Sequence, residues 1–428
     1  MSGVFARLIG QSAVEAELVA AAVAARGDSA HDPVNPHDPV NPHDPVNPHD
    51  PVNPHDPVNP GAMTHAWLVT GPPGSGRSVA ALCFAAALQC TSDGVPGCGR
   101  CRACTTTMVG NHGDVRRVIP EGLSIGVDDM RGIVATASRR PSTGRWRIVV
   151  IEDADRLTEG AANVLLKVVE EPPPATVFVL CAPSVDPEDI AITLRSRCRH
   201  VALVTPTVEA IAGVLMDTDG LSEDQAQWAA SVSGGHVGRA RRLATDPEAR
   251  DRRARALGLA RDSATPARAF AAVEELIAAA ESEARALNVG RNEAETEELN
   301  TALGGGGTGK GAAGALRGSV GAFKDLEKRQ KSRQTRASRD ALDRALIDLA
   351  SYFRDALMVA GGVGSVRASH PDMAEQVIKL AAHAPPDRLL RCVESVLACR
   401  EALAMNVKPK FAVDAMVATM GQALRADG

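Results

Sequence analysis

A glycine-rich segment is the part of this chain whose residue types point most directly to chemistry. It lies between an apolar run, Ala66–Thr70, and an alanine-rich segment of helical composition, and it reads Gly71-Pro72-Pro73-Gly74-Ser75-Gly76-Arg77-Ser78. A strand, a glycine-rich turn and a helix N-terminus bind anions together, because free backbone N–H groups and the helix dipole point at the phosphates. The pattern predicts a phosphate-binding loop for ATP, with Ser78 placed to hold Mg²⁺.

The loop departs from its usual pattern at one position, where Arg77 stands in place of a lysine. The lysine normally reaches the β- and γ-phosphates as a compact, mobile charge, whereas arginine is a bulkier planar fork. We therefore expect that ATP and Mg²⁺ could still bind at this loop. Hydrolysis by the chain itself should be weak or absent.

Two acidic residues follow a second apolar run, Arg147–Ile151, in the order Glu152 then Asp153. In many ATPases of this type an aspartate holds Mg²⁺ and the next residue, a glutamate, orients the attacking water. Here the order is inverted, which shifts each carboxylate by about 1.5 Å, and a misplacement of that size is costly to catalysis. Both residues are candidates for the nucleotide site. The alternative is an acidic surface turn after a strand.

Four cysteines form a third group within fifteen residues: Cys90, Cys98, Cys101 and Cys104. Three of them are separated by two residues each, and glycines between the first two supply turns. Four thiolates at this spacing match a tetrahedral Zn²⁺ site without an open position, so the predicted metal is structural. Free thiols or redox chemistry are the alternatives.

Strand-like and helix-like segments alternate between residues 65 and 203 and so must position these groups. β-Branched apolar runs at 147–151 and 177–181 suit central parallel strands. A helical pattern lies between them. This alternation predicts a parallel α/β sheet flanked by helices. Beyond residue 206 the strand pattern stops and the chain reads as helical, with Ser222 and Gln225 forming a capping box ahead of one helix.

Two segments break the pattern. Five copies of His-Asp-Pro-Val-Asn-Pro occupy residues 31–60; two prolines in six residues forbid a regular helix, so we expect a disordered insert. Weak metal chelation by its histidines and aspartates is the alternative. An acidic and then glycine-rich stretch at about 288–320 predicts a second flexible insertion.

Composition excludes several classes of protein. The 428 residues are 44% hydrophobic and 23% charged, with a formal net charge of −5, which argues against a chain that coats nucleic acid by itself. No segment resembles a signal peptide, and no apolar run approaches the roughly 18 residues of a membrane span. We expect a cytoplasmic protein with no membrane contact, whose cysteines are thiols or metal ligands.

Taken together, the motifs resemble those of the clamp-loader branch of the AAA+ ATPases, and among them the delta-prime subunits of bacterial DNA polymerase III. Besides the loop and the cysteines, the resemblance includes His65-Ala66-Trp67-Leu68, Arg139-Arg140-Pro141, Asn163-Val164-Leu165-Leu166-Lys167-Val168-Val169-Glu170-Glu171-Pro172-Pro173, Ser196-Arg197-Cys198 and Asn406-Val407-Lys408-Pro409-Lys410. It extends over nearly the whole chain except the two inserts.

The resemblance implies three domains. They are an AAA+ P-loop domain at 1–205 with a zinc module at 90–104, a small helical lid at 206–260 and an all-α collar at 261–428. It also implies a hetero-pentameric ring with gamma/tau and delta subunits, which loads the sliding clamp on primer-template DNA as part of a DNA-directed DNA polymerase complex.

In that family the arginine of Ser-Arg-Cys completes the ATP site of the neighbouring subunit, so Arg197 would be an arginine finger supplied in trans. The alternative is that Arg197 only pairs with an acid at a strand edge. In the lid, Gly238 stands where active subunits carry a sensor arginine. Together with Arg77 and the inverted acids, this implies a subunit that hydrolyses ATP poorly or not at all. Two further interpretations remain: an active gamma/tau-type ATPase, and a zinc-stapled adaptor that does not bind nucleotide.

Overall fold

The computed structural model describes residues 3–27, 63–303, 312–363 and 367–425. The predictions for the repeat at 31–60 and for the glycine run at 304–307 lie outside these residues. The chain forms two compact units. The first comprises Met1–Pro120 and Ser124–Ala210, and the second Glu121–Leu123 and Ile211–Gly428.

The first unit is built on a five-stranded sheet. Its strands are β1 (Ala66–Thr70), β2 (Val115–Val118), β3 (Arg147–Ile151), β4 (Thr176–Ala182) and β5 (Arg199–Ala202). All neighbouring strands pair in parallel, in the order β2-β3-β4-β1-β5. Parallel strands place their carboxyl ends at one edge of the sheet, so the segments that follow β1 and β3 leave the sheet on the same side. The strands predicted from the apolar runs are confirmed.

Helices cover both faces of this sheet. They are α1 (Ser12–Gly27), α2 (Arg77–Gln89), α3 (Arg102–Met108), α4 (Val127–Ala137), α5 (Glu159–Glu170) and α6 (Ile192–Arg195), with 3₁₀ turns at Val4–Arg7 and Ala154–Arg156. Side chains of β1 alternate between two hydrophobic clusters: Trp67 belongs to the one that contains α1 and α2, and Leu68 to the one that contains α4 and α5. The Trp67 ring meets Phe84 edge-on with centroids 4.8 Å apart. This double burial explains why the strands are continuous apolar runs.

The remaining elements are helical. They are α7 (Val208–Asp219), α8 (Glu223–Ser231), α9 (Val237–Thr245), α10 (Pro247–Asp262), α11 (Pro266–Ala302), α12 (Ala312–Ala360), α13 (Ala374–His383), α14 (Pro386–Ala404) and α15 (Pro409–Leu424), with a 3₁₀ turn at Pro371–Met373. The predicted cap of α8 is present, since Ser222 Oγ accepts a hydrogen bond from the Gln225 N–H. One hydrophobic cluster unites α10 to α15 around Leu342, Leu346 and Phe353. Among the helices that the structure describes, none has the length and hydropathy of a bilayer-spanning segment.

The predicted fold class is confirmed: a parallel sheet flanked by helices precedes an all-helical region. The domain boundaries predicted at 205 and 260 stay predictions. The flexible insertion expected at 288–320 is corrected in its described part, because residues 288–302 continue α11 and residues 312–320 begin α12. One acidic residue there is paired: the Glu295 carboxylate accepts hydrogen bonds from Arg333 Nη1 at 2.9 Å and Nη2 at 2.6 Å.

A buried carboxylate fixes the loop that leads into β3. The Asp114 side chain is fully buried and accepts hydrogen bonds from the backbone N–H groups of Ser142 at 2.8 Å, Thr143 at 2.6 Å and Gly144 at 2.7 Å. Arg147 Nη2 lies 3.2 Å from Asp114 Oδ1. Burial alone would raise the pKa of Asp114, but these hydrogen bonds outweigh it and hold the pKa below its usual value. The start of β3, and with it the place where Glu152 leaves the sheet, depends on this carboxylate.

We expect Asp114→Ala to lower the free energy of unfolding by about 3–5 kcal/mol at neutral pH, because the buried Arg147 loses its counter-charge. Since the folded-state pKa is depressed, this stabilisation is present above pH of about 4 and is lost as the pH falls through the folded-state value. Urea unfolding of wild type and variant across pH checks the effect. A difference that stays constant from neutral to acidic pH would contradict it.

Candidate functional site

The predicted phosphate-binding loop joins the carboxyl end of β1 to the N-terminus of α2. Gly74 and Gly76 have φ of 89° and 96°, a conformation that favours glycine. A Cβ on Gly71 would lie 2.5 Å from Ser75 Oγ and 2.9 Å from the Leu203 carbonyl oxygen. The loop therefore needs all three glycines, as an anion-binding loop between strand and helix does.

Arg77 is turned back onto its own loop. Its Nη1 donates a hydrogen bond to the Gly71 carbonyl oxygen at 2.8 Å, so the guanidinium joins the helix end of the loop to its strand end. Ser78, the predicted Mg²⁺ ligand, is half-buried in the first turn of α2. Ser75 Oγ is buried and makes no hydrogen bond within the described part of the chain. The segment forms the predicted turn between strand and helix, but the guanidinium of Arg77 is hydrogen-bonded to the backbone of the loop.

The two acids after β3 are placed differently from each other. Glu152 Oε1 accepts hydrogen bonds from Arg117 Nε at 2.9 Å and Nη2 at 2.7 Å, and Arg117 lies on the neighbouring strand β2. The charge of Glu152 is therefore neutralised within the sheet. Asp153 adopts a left-handed backbone with φ of 53° and precedes the 3₁₀ turn Ala154–Arg156. Arg117 was not identified from the sequence as a residue of this site. A basic residue in a short strand was the only feature of the sequence that could have indicated it.

Asp155 is a further acidic residue of this site. Burial raises the pKa of its carboxyl group, the charge of Asp153 raises it further, and the charge of Arg77 lowers it. Asp155 Oδ1 is buried without a hydrogen-bond partner among the described residues. Because Arg77 acts on this carboxylate, the structure brings the loop and the acidic turn within electrostatic reach of each other. The sequence signal for Asp155 was that it is the third acidic residue within four positions after β3.

Arg197 follows α6 and lies at the surface. Its Nη2 is 2.7 Å from Glu170 Oε1, and these side chains are 40% and 42% exposed. Arg197 Nη1 also donates to the Thr193 carbonyl oxygen at 3.0 Å. Glu170 is the last residue of α5. An ion pair this exposed contributes about 0–1 kcal/mol, so the guanidinium can exchange Glu170 for another anion at little cost.

The four predicted cysteine ligands converge. Their sulfur atoms all lie within 4.8 Å of one another, and the Sγ atoms of Cys90 and Cys101 are 4.0 Å apart. In a tetrahedral Zn²⁺ site with Zn–S bonds of about 2.3 Å the sulfurs are about 3.8 Å apart. The group fits a metal ion of this kind, and four protein ligands leave no open position for chemistry.

Backbone N–H donors lie on two sulfurs of this cysteine group and favour the thiolate form of Cys101. The Cys101 N–H donates to Cys98 Sγ at 3.3 Å, and the Cys104 N–H donates to Cys101 Sγ at 3.4 Å. Burial works to raise the pKa of Cys101, but hydrogen bonds, with that of the Cys104 N–H first, lower it to about 6. The metal-binding form of this thiol is therefore favoured at neutral pH.

The N-terminal 3₁₀ turn packs on the turn between these cysteines. Gly97 has φ of 83°, and its carbonyl oxygen accepts a hydrogen bond from the Val4 N–H at 2.9 Å. The Val4 carbonyl oxygen in turn accepts one from Cys83 Sγ at 3.0 Å. The cysteine group, the N-terminal turn and the middle of α2 are thus connected through Val4.

Comparison with known proteins agrees with this arrangement. Residues 55–207 match the family described as DNA polymerase III, delta subunit, and residues 337–409 match DNA polymerase III, delta subunit, C terminal. The chain is 34% identical over 179 residues to DNA polymerase III subunit delta' of Escherichia coli, covering 41% of this chain and 53% of that protein.

Two further relatives come from Bacillus subtilis. DNA polymerase III subunit delta' is 32% identical over 197 residues, covering 46% of this chain and 59% of the relative. DNA polymerase III subunit tau is 35% identical over 151 residues, covering 35% and 26%. The matches thus cover between 26% and 59% of the length of these three relatives. A solved gamma subunit-related protein from Thermotoga maritima is 15% identical with a TM-score of 0.38, covering 84% of this chain and 94% of that one.

Proposed function

From the premise that this chain belongs to the DNA polymerase III delta-subunit family, we propose that it is a ring component of a clamp loader in DNA replication. In this proposal it joins gamma/tau and delta subunits in a hetero-pentameric ring and supplies Arg197 to the ATP site of a neighbour. Through that complex it helps to load the sliding clamp on primed DNA. It works in the cytoplasm and binds primer-template DNA as part of the complex.

The observation that supports this proposal most directly is that Arg197 is exposed and only weakly held. A finger in trans must be at the surface, carry its charge permanently and be released easily. Arg197 has an exposed side chain held by an equally exposed carboxylate, Glu170. A γ-phosphate carries more charge than one carboxylate, so it would replace Glu170 as the partner when the neighbour docks.

Weak or absent hydrolysis by the chain itself is supported by two contacts. Arg77 donates to the Gly71 carbonyl oxygen rather than extending from the loop, and Glu152 is paired with Arg117. Phosphoryl transfer needs a cation on the phosphates and a carboxylate on Mg²⁺. Binding ATP for catalysis would require both contacts to break, so ATP and Mg²⁺ are at most resident ligands here.

A second candidate is an active ATPase of the gamma/tau kind. The observation in its favour is the 35% identity to the tau subunit of Bacillus subtilis over 151 residues. The candidates differ in turnover by the isolated chain, because a motor subunit must itself carry a competent site.

Steady-state hydrolysis by the purified chain and its Arg77→Lys variant separates the candidates. We expect turnover far below about 1 s⁻¹ in both, since Glu152 remains paired with Arg117.

ATP binding by the same two proteins is measured by calorimetry. We expect Arg77→Lys to bind ATP at least about tenfold more tightly than the wild type, because a lysine frees the loop for phosphate. Arg145→Lys, at an exposed position outside the loop, is the matched control and should behave as wild type. Wild-type turnover equal to that of a gamma/tau subunit would establish the motor instead.

We also propose that Cys90, Cys98, Cys101 and Cys104 hold one structural Zn²⁺. Support comes from the convergence of the four sulfurs and from the two backbone N–H donors on them. When bound, the ion supplies no reaction step. Its role is to connect the end of α2 to the start of α3, since Cys90 caps the first helix and Cys101 the second.

A further inference from the structure

The helical unit contains a cavity that the proposed function does not use. It has a volume of about 310 Å³ and is bounded by α9, α10, α11 and α12. Its charged lining consists of Arg239, Arg242, Arg252, Arg253, Arg344, Glu283 and Asp348. Five guanidiniums face two carboxylates, which is an excess of three positive charges. None of the lining residues belongs to the unit that carries the phosphate-binding loop.

Three of the five lining arginines form ion pairs with carboxylates, either across the cavity or outside its lining. Arg239 pairs with Asp348, and Arg253 pairs with Asp372, which is not part of the lining. Arg252 pairs with acids near the start of its own helix, and its Nε lies 3.4 Å from Glu283 Oε2. The excess positive charge of the cavity therefore lies on the two remaining arginines, Arg242 and Arg344.

Arg242 and Arg344 share one carboxylate oxygen. Arg242 Nη2 lies 2.8 Å and Arg344 Nη2 3.0 Å from the same atom, Glu283 Oε1. Each guanidinium has five N–H donors, so one shared acceptor leaves several donors of both groups available for a ligand. The two side chains are 42% and 38% exposed, whereas Glu283 is 9% exposed. A ligand can therefore reach the arginines more easily than the carboxylate.

Glu283 supplies one negative charge against the two positive charges of Arg242 and Arg344. Burial would raise the pKa of this carboxyl group, yet the charges of Arg344, Arg242 and Arg252 prevail and lower it. One carboxylate thus does not neutralise the cluster. Apart from His236 and Gly238 at the start of α9, the rest of the wall is apolar: Leu243, Ala249, Ala256, Leu276, Ala279, Ala280, Ala341 and Ala345.

We propose that this cavity binds a small organic phosphate, with its phosphate oxygens on Arg242 and Arg344 and its uncharged body against the alanine-rich wall. Guanidinium groups bind phosphate oxygens through paired, charge-assisted hydrogen bonds. A volume near 300 Å³ with an apolar wall and a few polar anchors is typical of small-molecule sites. Because Arg242 lies on α9 and Arg344 on α12, the ligand joins these two helices and stabilises their packing.

Calorimetric titration of the full-length chain with inorganic pyrophosphate and with ADP, both without Mg²⁺, tests the proposal. All titrations use a Ser78→Asp background, whose added carboxylate repels phosphate from the loop at 71–78. We expect both probes to bind and ADP to bind at least threefold more tightly, because it also covers the apolar wall. Equal affinities would overturn the organic part of the proposal, and no binding at millimolar concentration would overturn all of it.

Three variants in the same background assign the binding. Arg344→Gln should weaken both probes at least tenfold, and Glu283→Gln should tighten them at least threefold because a competing charge is removed. Arg329→Gln, an exposed arginine on the same helix outside the cavity, makes the same charge change and should leave affinity unchanged. Circular dichroism verifies folding, and Arg242→Gln, which removes the other proposed phosphate ligand, replaces Arg344→Gln if that variant does not fold. Equal losses in Arg344→Gln and Arg329→Gln would overturn the site, leaving only a structural ion-pair cluster.

Discussion

Arg197→Ala should lower ATP hydrolysis at the neighbouring subunit's site by about 10³- to 10⁵-fold and leave ring assembly intact. The expected loss is large because the guanidinium stabilises charge that develops only in the transition state. Assembly should persist because the native partner of Arg197 is an exposed carboxylate, and such a pair contributes little to stability.

The effect is best measured in a complex in which only the neighbour served by this chain retains a competent ATP site. Gel filtration establishes assembly, and single-turnover hydrolysis gives the rate at that site. Arg195→Ala is the matched control, since Arg195 is also exposed and only two residues away. Undiminished hydrolysis in the Arg197→Ala complex would rule out the finger. A loss that Arg195→Ala shares would point to a damaged surface instead.

Cys101→Ser should remove the bound zinc and destabilise the sheet-containing unit. We expect zinc content to fall from about one ion per chain to near zero. At free zinc a thousand times above its dissociation constant, the stabilisation lost is about 4 kcal/mol. For a unit of this size that loss lowers the melting temperature by roughly 10 °C. Metal analysis and thermal unfolding measure the two effects.

Cys198→Ser provides the comparison for the zinc experiment, because Cys198 is partly buried in the same unit but lies outside the cluster. This variant should retain a full complement of zinc. If chelator treatment of the wild-type chain left its melting temperature unchanged, the metal would have no structural role.

Local sequence was enough to predict the elements that carry the site. The runs at 66–70 and 147–151 are apolar at every position because both faces of those strands are buried, and this pattern needs no long-range information. The glycines of the loop and the spacing of the cysteines are likewise local signals. The strands were predicted correctly, and the four cysteines converge as their spacing indicated. That the loop binds phosphate and that the cysteines hold zinc stay predictions.

Contacts between distant residues could not be predicted in this way. Arg117 and Glu152 are 35 residues apart and meet only because β2 and β3 are neighbours in the sheet. Glu295 lies in an acidic stretch that resembles a solvated linker, yet Arg333, 38 residues later, pairs with it and keeps the segment helical. In both cases the partner is set by the fold and lies too far along the chain for a local pattern to indicate it.

The link through Val4 has a practical consequence for handling the protein. Burial raises the pKa of the Cys83 thiol to about 12, so in the intact protein this sulfur is protected from oxidants and alkylating reagents. Its cover is the N-terminal turn, which is itself anchored on the carbonyl oxygen of Gly97. If the cysteine group holds the proposed zinc, a chelator in the purification buffer would therefore loosen this cover and expose the Cys83 sulfur, which is not itself a ligand. Such a preparation would need a reductant to keep that thiol from oxidation.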